Sequence, residues 1–277
     1  MKHRIAGLLA LLLLLSAALP IYGCKQAADT EAPSATQTPQ STPVSQTPAD
    51  TDAPAPSTFL AKTVNTRSIG NMNYWLYTPS APTEAMPLIV YLHGGSGKGD
   101  DPELITNADG FPKYLRDGTL GNLRAYVIIP QLPSSQKGWA NIADTVRELI
   151  DRTVSAFAID KNNISLTGHS MGGTGTWSLA LSFPTLFARI APLSGSVKNL
   201  PEYVGKLKSV PVWAFVGSAD TIVPPDSSIA FVDVLKAAGG NAQITVFDGA
   251  DHFSVPALTY TDSAISLTDW LIGKAGS

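Results

Sequence analysis

A single cysteine, Cys24, stands in the 277 residues of this chain, so no internal disulfide can form. Histidine is almost as scarce. His3, His93, His169 and His252 lie far apart, and with one cysteine they leave no cluster at metal-ligand spacing; neither a metal nor another cofactor is expected. Lys and Arg number 19 against 22 Asp and Glu, a formal charge of −3 with no basic cluster, which excludes nucleic acid as a partner. No internal repeat is present. A phosphate-cradling loop is missing too, although Gly97-Lys98 imitates one. The position five before Gly97 is Leu92, and Gly99 follows Lys98 where Ser or Thr is needed.

What is present begins with a leader. Lys2 and Arg4 precede an apolar run from Ile5 to Leu19, too short for a membrane span and laid out as a secretory signal. The run ends at Ile21-Tyr22-Gly23-Cys24, which resembles the lipobox of bacterial lipoproteins. That resemblance implies removal of residues 1–23 and a diacylated Cys24 as the new N-terminus, anchored in a membrane outside the cytoplasm. A plain signal peptide with a secreted product is the alternative. From Lys25 to Ser57, Pro33, Pro39, Pro43, Pro48, Pro54 and Pro56 punctuate Thr, Ser, Gln and Ala without one aromatic residue. Such a segment buries too little apolar surface to offset its ordering entropy. As a coil it would span roughly 30 Å, a tether between anchor and domain. Without Lys2 and Arg4 the formal charge becomes −5.

Residues 58–277 suit one domain with a full core. Ala61–Ser68 and Asn73–Thr78 read as strands around Gly70-Asn71, a hairpin signal. Leu88–Leu92 and Ala125–Ile129 are short unbroken apolar runs, as expected of strands buried on both faces. Ile142, Val146, Leu149, Ile150, Val154 and Phe157 recur at helical spacing. Ile164–Thr167 is a strand, and a helix should follow from Met171 to Phe183, stopped by Pro184. Strands at Arg189–Leu193, Val212–Val216 and Gln243–Phe247 alternate with helices at Asp226–Ala238 and Pro256–Ile272. This alternation predicts an α/β fold with a mostly parallel sheet, helices on both faces and an antiparallel N-terminal hairpin, the α/β-hydrolase layout.

Gly168-His169-Ser170-Met171-Gly172 fits G-x-S-x-G with a strand before it and a helix after it. There Ser170 would sit on a strained turn, its Oγ raised at a helix N-terminus that favours developing negative charge. Gly168, Gly172 and Gly173 are expected to clear space around it. A hydroxyl needs a general base. His3 leaves with the leader, His169 should point away from the site on so sharp a turn, and His93 should brace a glycine loop. His252, in the loop after the last strand, remains. Asp220, after the strand Val212–Val216, is the favoured acid; Asp248 and Asp251 are rivals by their nearness to His252. The oxyanion needs two backbone donors: Met171 N–H, and one from His93-Gly94-Gly95-Ser96-Gly97, with Gly95 preferred and Gly94 second.

With these residues the chain, from about Asn73 onward, resembles bacterial esterases and predicted peptidases of the α/β-hydrolase superfamily. They group around polyhydroxybutyrate depolymerases, feruloyl and acetylxylan esterases, and dienelactone hydrolase. The resemblance rests on Tyr91 to Asp100, Leu166 to Trp177, Gly217 to Pro224 and Asp251-His252. It implies Ser170, Asp220 and His252 as the triad, and the loop after His93 with Met171 N–H as the oxyanion hole. It also implies that Trp139 lines a substrate pocket, although packing that loop onto the core would suit a tryptophan equally. Trp177 is expected in the core. Only some fifty residues part Ser170 from Asp220 and about thirty part Asp220 from His252. That leaves no room for a lid domain there, so an open cleft is expected, suited to bulky or polysaccharide-linked esters. A serine peptidase or an acyltransferase would use the same parts, and a non-catalytic binding lipoprotein would need none of them.

Overall fold

The computed structural model describes residues 55–274 apart from 83 and 109; the leader, Cys24 and nearly all of the tether lie outside the described residues. The domain opens with β1 (Thr58–Thr66) and β2 (Gly70–Thr78), paired antiparallel so that Thr66 faces Gly70. The reversal therefore falls on residues 67–69, ahead of the Gly70-Asn71 signal. Gly70 has φ of 72° and already lies in the ladder, with Asn71 paired to Asn65.

β3 (Met86–Leu92) follows, then the short helices α1 (Leu104–Asn107) and α2 (Phe111–Arg116) before β4 (Tyr126–Pro130). α3 (Ala143–Ala156) leads into β5 (Ile159–His169), and α4 (Met171–Ser182) into β6 (Arg189–Leu193). Next come α5 (Pro201–Leu207), β7 (Val212–Gly217), α6 (Asp226–Ala237), β8 (Ala242–Phe247), α7 (Val255–Tyr260) and α8 (Leu267–Leu271). The eight strands form one sheet in the order β1-β2-β4-β3-β5-β6-β7-β8. β1, β2 and β4 pair antiparallel in succession, and every pair from β4 to β8 is parallel. This is the expected α/β-hydrolase layout.

The unbroken apolar runs explain why helices cover both faces. Side chains alternate along a strand. In β3, Leu88, Val90 and Leu92 enter one core, shared with Val146 and Leu149 of α3 and Trp177 of α4. Ile89 and Tyr91 enter the other, shared with Phe111 of α2 and Leu267 and Leu271 of α8. Trp177 lies fully buried, in the core as expected.

Two helical expectations need correction. The predicted helix Pro256–Ile272 is two helices, because Asp262 offers a local alternative to helical bonding. Its side chain accepts the Ala264 N–H and its carbonyl accepts those of Ile265 and Ser266, while Ser266 turns left-handed at φ 48°. The second departure is an addition: α1, α2 and α5 are too short to leave a helical period in the sequence.

Candidate active site

Ser170 caps α4 with φ 61° and ψ −120°, a backbone conformation costly to any residue but glycine. The neighbours hold it there. Ser170 N–H donates to Leu193 O of β6 across 2.9 Å, and Ser170 O accepts from Thr174 N–H at 2.9 Å. The glycines serve less to free Ser170 than to let α4 rest on the sheet. A Cβ on Gly172 would overlap the Leu92 carbonyl of β3, and one on Gly168 would lie 2.5 Å from the same oxygen.

His252 follows β8 on the loop before α7, buried. Its Nε2 stands 2.8 Å from Ser170 Oγ, and its Nδ1 stands 2.7 Å from Asp220 Oδ2. With Ser170 Oγ–H donating to Nε2, Nδ1 carries the proton and donates to Asp220, so one tautomer suits both contacts. Asp220 is buried at the end of β7, and its Oδ1 accepts the N–H groups of Ile222 (3.0 Å) and Val223 (2.8 Å). Burial pushes its carboxyl up. The Val223 N–H, the His252 bond and charge, and the Ile222 N–H outweigh that and hold it below the usual carboxylate value. Neither sequence rival bonds the imidazole. Asp248 accepts from Ser218 Oγ, and Asp251 Oδ1 accepts from Phe253 N, Ser254 N and Ser254 Oγ.

His93 is buried beneath the glycine loop. Its Nδ1–H donates to Gly94 O at 2.7 Å, and its Nε2 accepts the Leu132 N–H at 2.9 Å. Burial lowers its pKa to about 4 despite the pull of the Gly94 carbonyl, so the ring is neutral. Trp139 belongs to this brace, not to a substrate pocket. It is buried, its Nε1–H donates to His93 O at 3.1 Å, and its ring meets the His93 ring edge-on at 4.9 Å. The core alternative for Trp139 is the one the structure shows. Above the brace, Gly94 and Gly95 line the cavity at Ser170. Gly94 lies the nearer: a Cβ on it would meet Ser170 Cβ at 3.4 Å, whereas one on Gly95 would meet nothing within 4 Å. Met171 opens α4, so its N–H has no acceptor within the helix and is free for an oxyanion.

His169 does not point away. It lines the cavity, its Nε2–H donates to His252 O at 2.9 Å, and the two imidazoles lie 4.7 Å apart. Burial first, then the neighbouring His252, lowers its pKa to about 4. The alternation of β5 held the signal. His169 shares a face with Thr167, whose Oγ1 is 2.6 Å from the Tyr260 hydroxyl of α7, so both face the segment that follows His252.

The cavity holds about 450 Å³. Ile105, Ala108, Gly110 and Pro112, on and beside α1 and α2, form a wall that the sequence did not disclose. Ile222 and Phe253 form its rim. Among the described residues there is no cluster of three His, Cys, Asp or Glu placed to hold a metal ion.

The chain is similar to several known hydrolases. Residues 125–259 match the phospholipase/carboxylesterase family. Over 141 residues the chain is 27% identical to poly(3-hydroxyalkanoate) depolymerase C of Paucimonas lemoignei, covering 46% of this chain and 32% of that protein. Over 100 residues it is 31% identical to a putative carboxymethylenebutenolidase of Salmonella typhimurium, covering 34% of this chain and 37% of the other. The matches thus span about a third of the length of these curated relatives. The crystal structure of a thermostable esterase superposes with a TM-score of 0.66 at 28% identity, over 77% of this chain and 62% of that one.

Proposed function

We propose that this chain, which has the α/β-hydrolase fold and esterase relatives, hydrolyses carboxylic esters through Ser170, His252 and Asp220. The observation that carries this reading is the continuous chain of bonds from Asp220 Oδ2 through both His252 nitrogens to Ser170 Oγ, 2.7 and 2.8 Å long. Ser170 Oγ attacks the ester carbonyl carbon as its proton passes to His252 Nε2. Asp220 holds the imidazole in position and stabilises its charged form. The oxyanion takes hydrogen bonds from Met171 N–H and from the Gly94–Gly95 loop. Collapse breaks the bond to the alcohol oxygen, which leaves with the proton from Nε2. Water then attacks the acyl-enzyme, gives its proton to Nε2, and Ser170 is released with the carboxylic acid.

The same proposal places the domain outside the cytoplasm, tethered by a lipid on Cys24 and acting on bulky or polysaccharide-linked esters. The basic and apolar leader before Cys24 and the proline-rich stretch after it support the anchor. A cleft open at the Ile222 and Phe253 rim supports the substrate.

The test is hydrolysis of p-nitrophenyl acetate by the full chain beside Ser170→Ala. The substitution should lower kcat by roughly 10⁵- to 10⁶-fold and abolish labelling by a fluorophosphonate. Equal rates for the two proteins, or faster cleavage of aminoacyl anilides than of any ester, would overturn the reading. For the anchor, Cys24→Ala should move the protein from the membrane to the soluble fraction.

A further inference from the structure

The loops that carry the acid and the base of the site each also carry an exposed apolar side chain. Ile222 lies two residues after Asp220, and Phe253 directly follows His252; they are 56% and 69% exposed. Isolated exposed apolar residues are ordinary on protein surfaces. These two differ because both line the cavity that contains Ser170. Their backbones are fixed: Ile222 N–H donates to Asp220 Oδ1 at 3.0 Å and Phe253 N–H to Asp251 Oδ1 at 3.1 Å. The Phe253 ring stands edge-on to His252 with centroids 5.3 Å apart. The side chains therefore project from held loops that carry the acid and the base.

Among the described residues, the rest of the lining carries no Asp, Glu, Lys or Arg. His93, His169 and Tyr91 are neutral in this setting. His93 is tied up as a donor to Gly94 O and an acceptor from Leu132 N, His169 donates to a carbonyl, and the Tyr91 phenol is buried. A carboxylate entering here would lose water and meet no cation. The nearest fixed charges on the two loops, Asp220 and Asp251, would repel it. An ammonium group would also be desolvated, with Asp220 already engaged by His252 and by two backbone N–H groups. Burying an unpaired charge is among the costliest changes a site can impose, whereas covering Ile222 and Phe253 with hydrocarbon is favourable. At about 30 Å³ per water-sized group, the cavity of about 450 Å³ has room for on the order of fifteen non-hydrogen atoms.

We propose that the cavity beside Ser170 takes an uncharged acyl group with an apolar body, and that Ile222 and Phe253 determine that selectivity. The inference rests on the ester-hydrolase reading and narrows it to a substrate class. Esters whose acyl group bears a carboxylate or an amine are excluded, and medium-length or ring-bearing neutral acyl groups are favoured.

The experiment uses the full chain and p-nitrophenyl esters of acetate, butyrate, octanoate, hemisuccinate and 4-aminobutyrate, each corrected for its uncatalysed rate. Butyrate should exceed both charged esters by at least tenfold in kcat/KM. Phe253→Ser and Ile222→Ser should each lower the octanoate-to-acetate ratio of kcat/KM at least threefold. A preference for butyrate below tenfold, or ratios that change less than threefold in both variants, would overturn the proposal while leaving the ester-hydrolase reading intact. Failure to turn over acetate, or acetate turnover kept by Ser170→Ala, would instead sink that underlying reading.

Discussion

The imidazole of His169 donates a hydrogen bond to the backbone carbonyl of His252, 2.9 Å away, so the residue before Ser170 grips the loop that carries His252. The rings pack 4.7 Å apart. Without that donor the His252 carbonyl loses its partner, and the loop can drift from the 2.8 Å contact with Ser170. His169→Leu should therefore lower kcat, by about 5- to 150-fold if the 1–3 kcal/mol of an unpaired buried carbonyl appears in the barrier. His169→Gln, which keeps a side-chain N–H, should recover most of the loss. KM for p-nitrophenyl acetate should move less than kcat in both variants. Equal losses in the two would mean that the ring's bulk matters and its hydrogen bond does not.

Asp220 should be distinguishable from the nearby Asp248 by kinetics. Asp220→Asn keeps the shape but removes the charge that stabilises protonated His252, and kcat should fall by up to about 10⁴-fold. Asp248→Asn alters a single exposed contact to Ser218 and should leave kcat within twofold. The comparison needs only steady-state rates and a thermal melt to confirm folding. An Asp248→Asn loss as large as that of Asp220→Asn would contradict the assignment.

Gly172 and Gly95 make a second contrasting pair. A Cβ at Gly172 collides with the rigid backbone of β3, whereas one at Gly95 meets open space. Gly172→Ala must push α4 off the sheet, at a cost of about 1–3 kcal/mol or more. In a domain of this size that lowers Tm by roughly 2–12 °C. Gly95→Ala should leave Tm unchanged within a degree. Calorimetry on both variants decides the matter.

These contrasts show where the sequence was informative. Unbroken apolar runs such as Leu88–Leu92 and the glycine-flanked Ser170 carry their structure in local pattern, and scarcity of histidine leaves His252 as the candidate base. Asp220 was readable from its place after β7. His169 departs from the expectation that a sharp turn throws it clear, because the period-2 rule along β5 places it on the face of Thr167 and α7. Trp139 depends on a long-range bond to His93 O, 46 residues away in the chain, which no local pattern carries. The wall of Ile105, Ala108, Gly110 and Pro112 rests on helices of four and six residues, too short to show a period.

Acid should weaken the fold before it touches the carboxylates. His93 and His169 both have pKa values lowered to about 4, burial being the larger cause in each. In the unfolded chain both return to about 6.5. Between pH 6.5 and 4 the unfolded chain therefore binds protons that the folded chain refuses, and stability must fall as pH falls through that window. Above pH 6.5 neither state is protonated and the two histidines contribute no slope. At about 1.4 kcal/mol per unit and per group, the loss reaches on the order of 3 kcal/mol for each histidine by pH 4. Asp220 and Asp251, held below the ordinary carboxylate value, add their own losses only at lower pH. Urea unfolding at pH 7 and pH 4.5 should thus show a lower midpoint in acid for the native chain. His169→Gln, which removes one of the two groups, should show roughly half that drop. A native midpoint that held steady from pH 7 to 4.5 would mean that the two imidazoles accept protons in place, contrary to their burial and bonding.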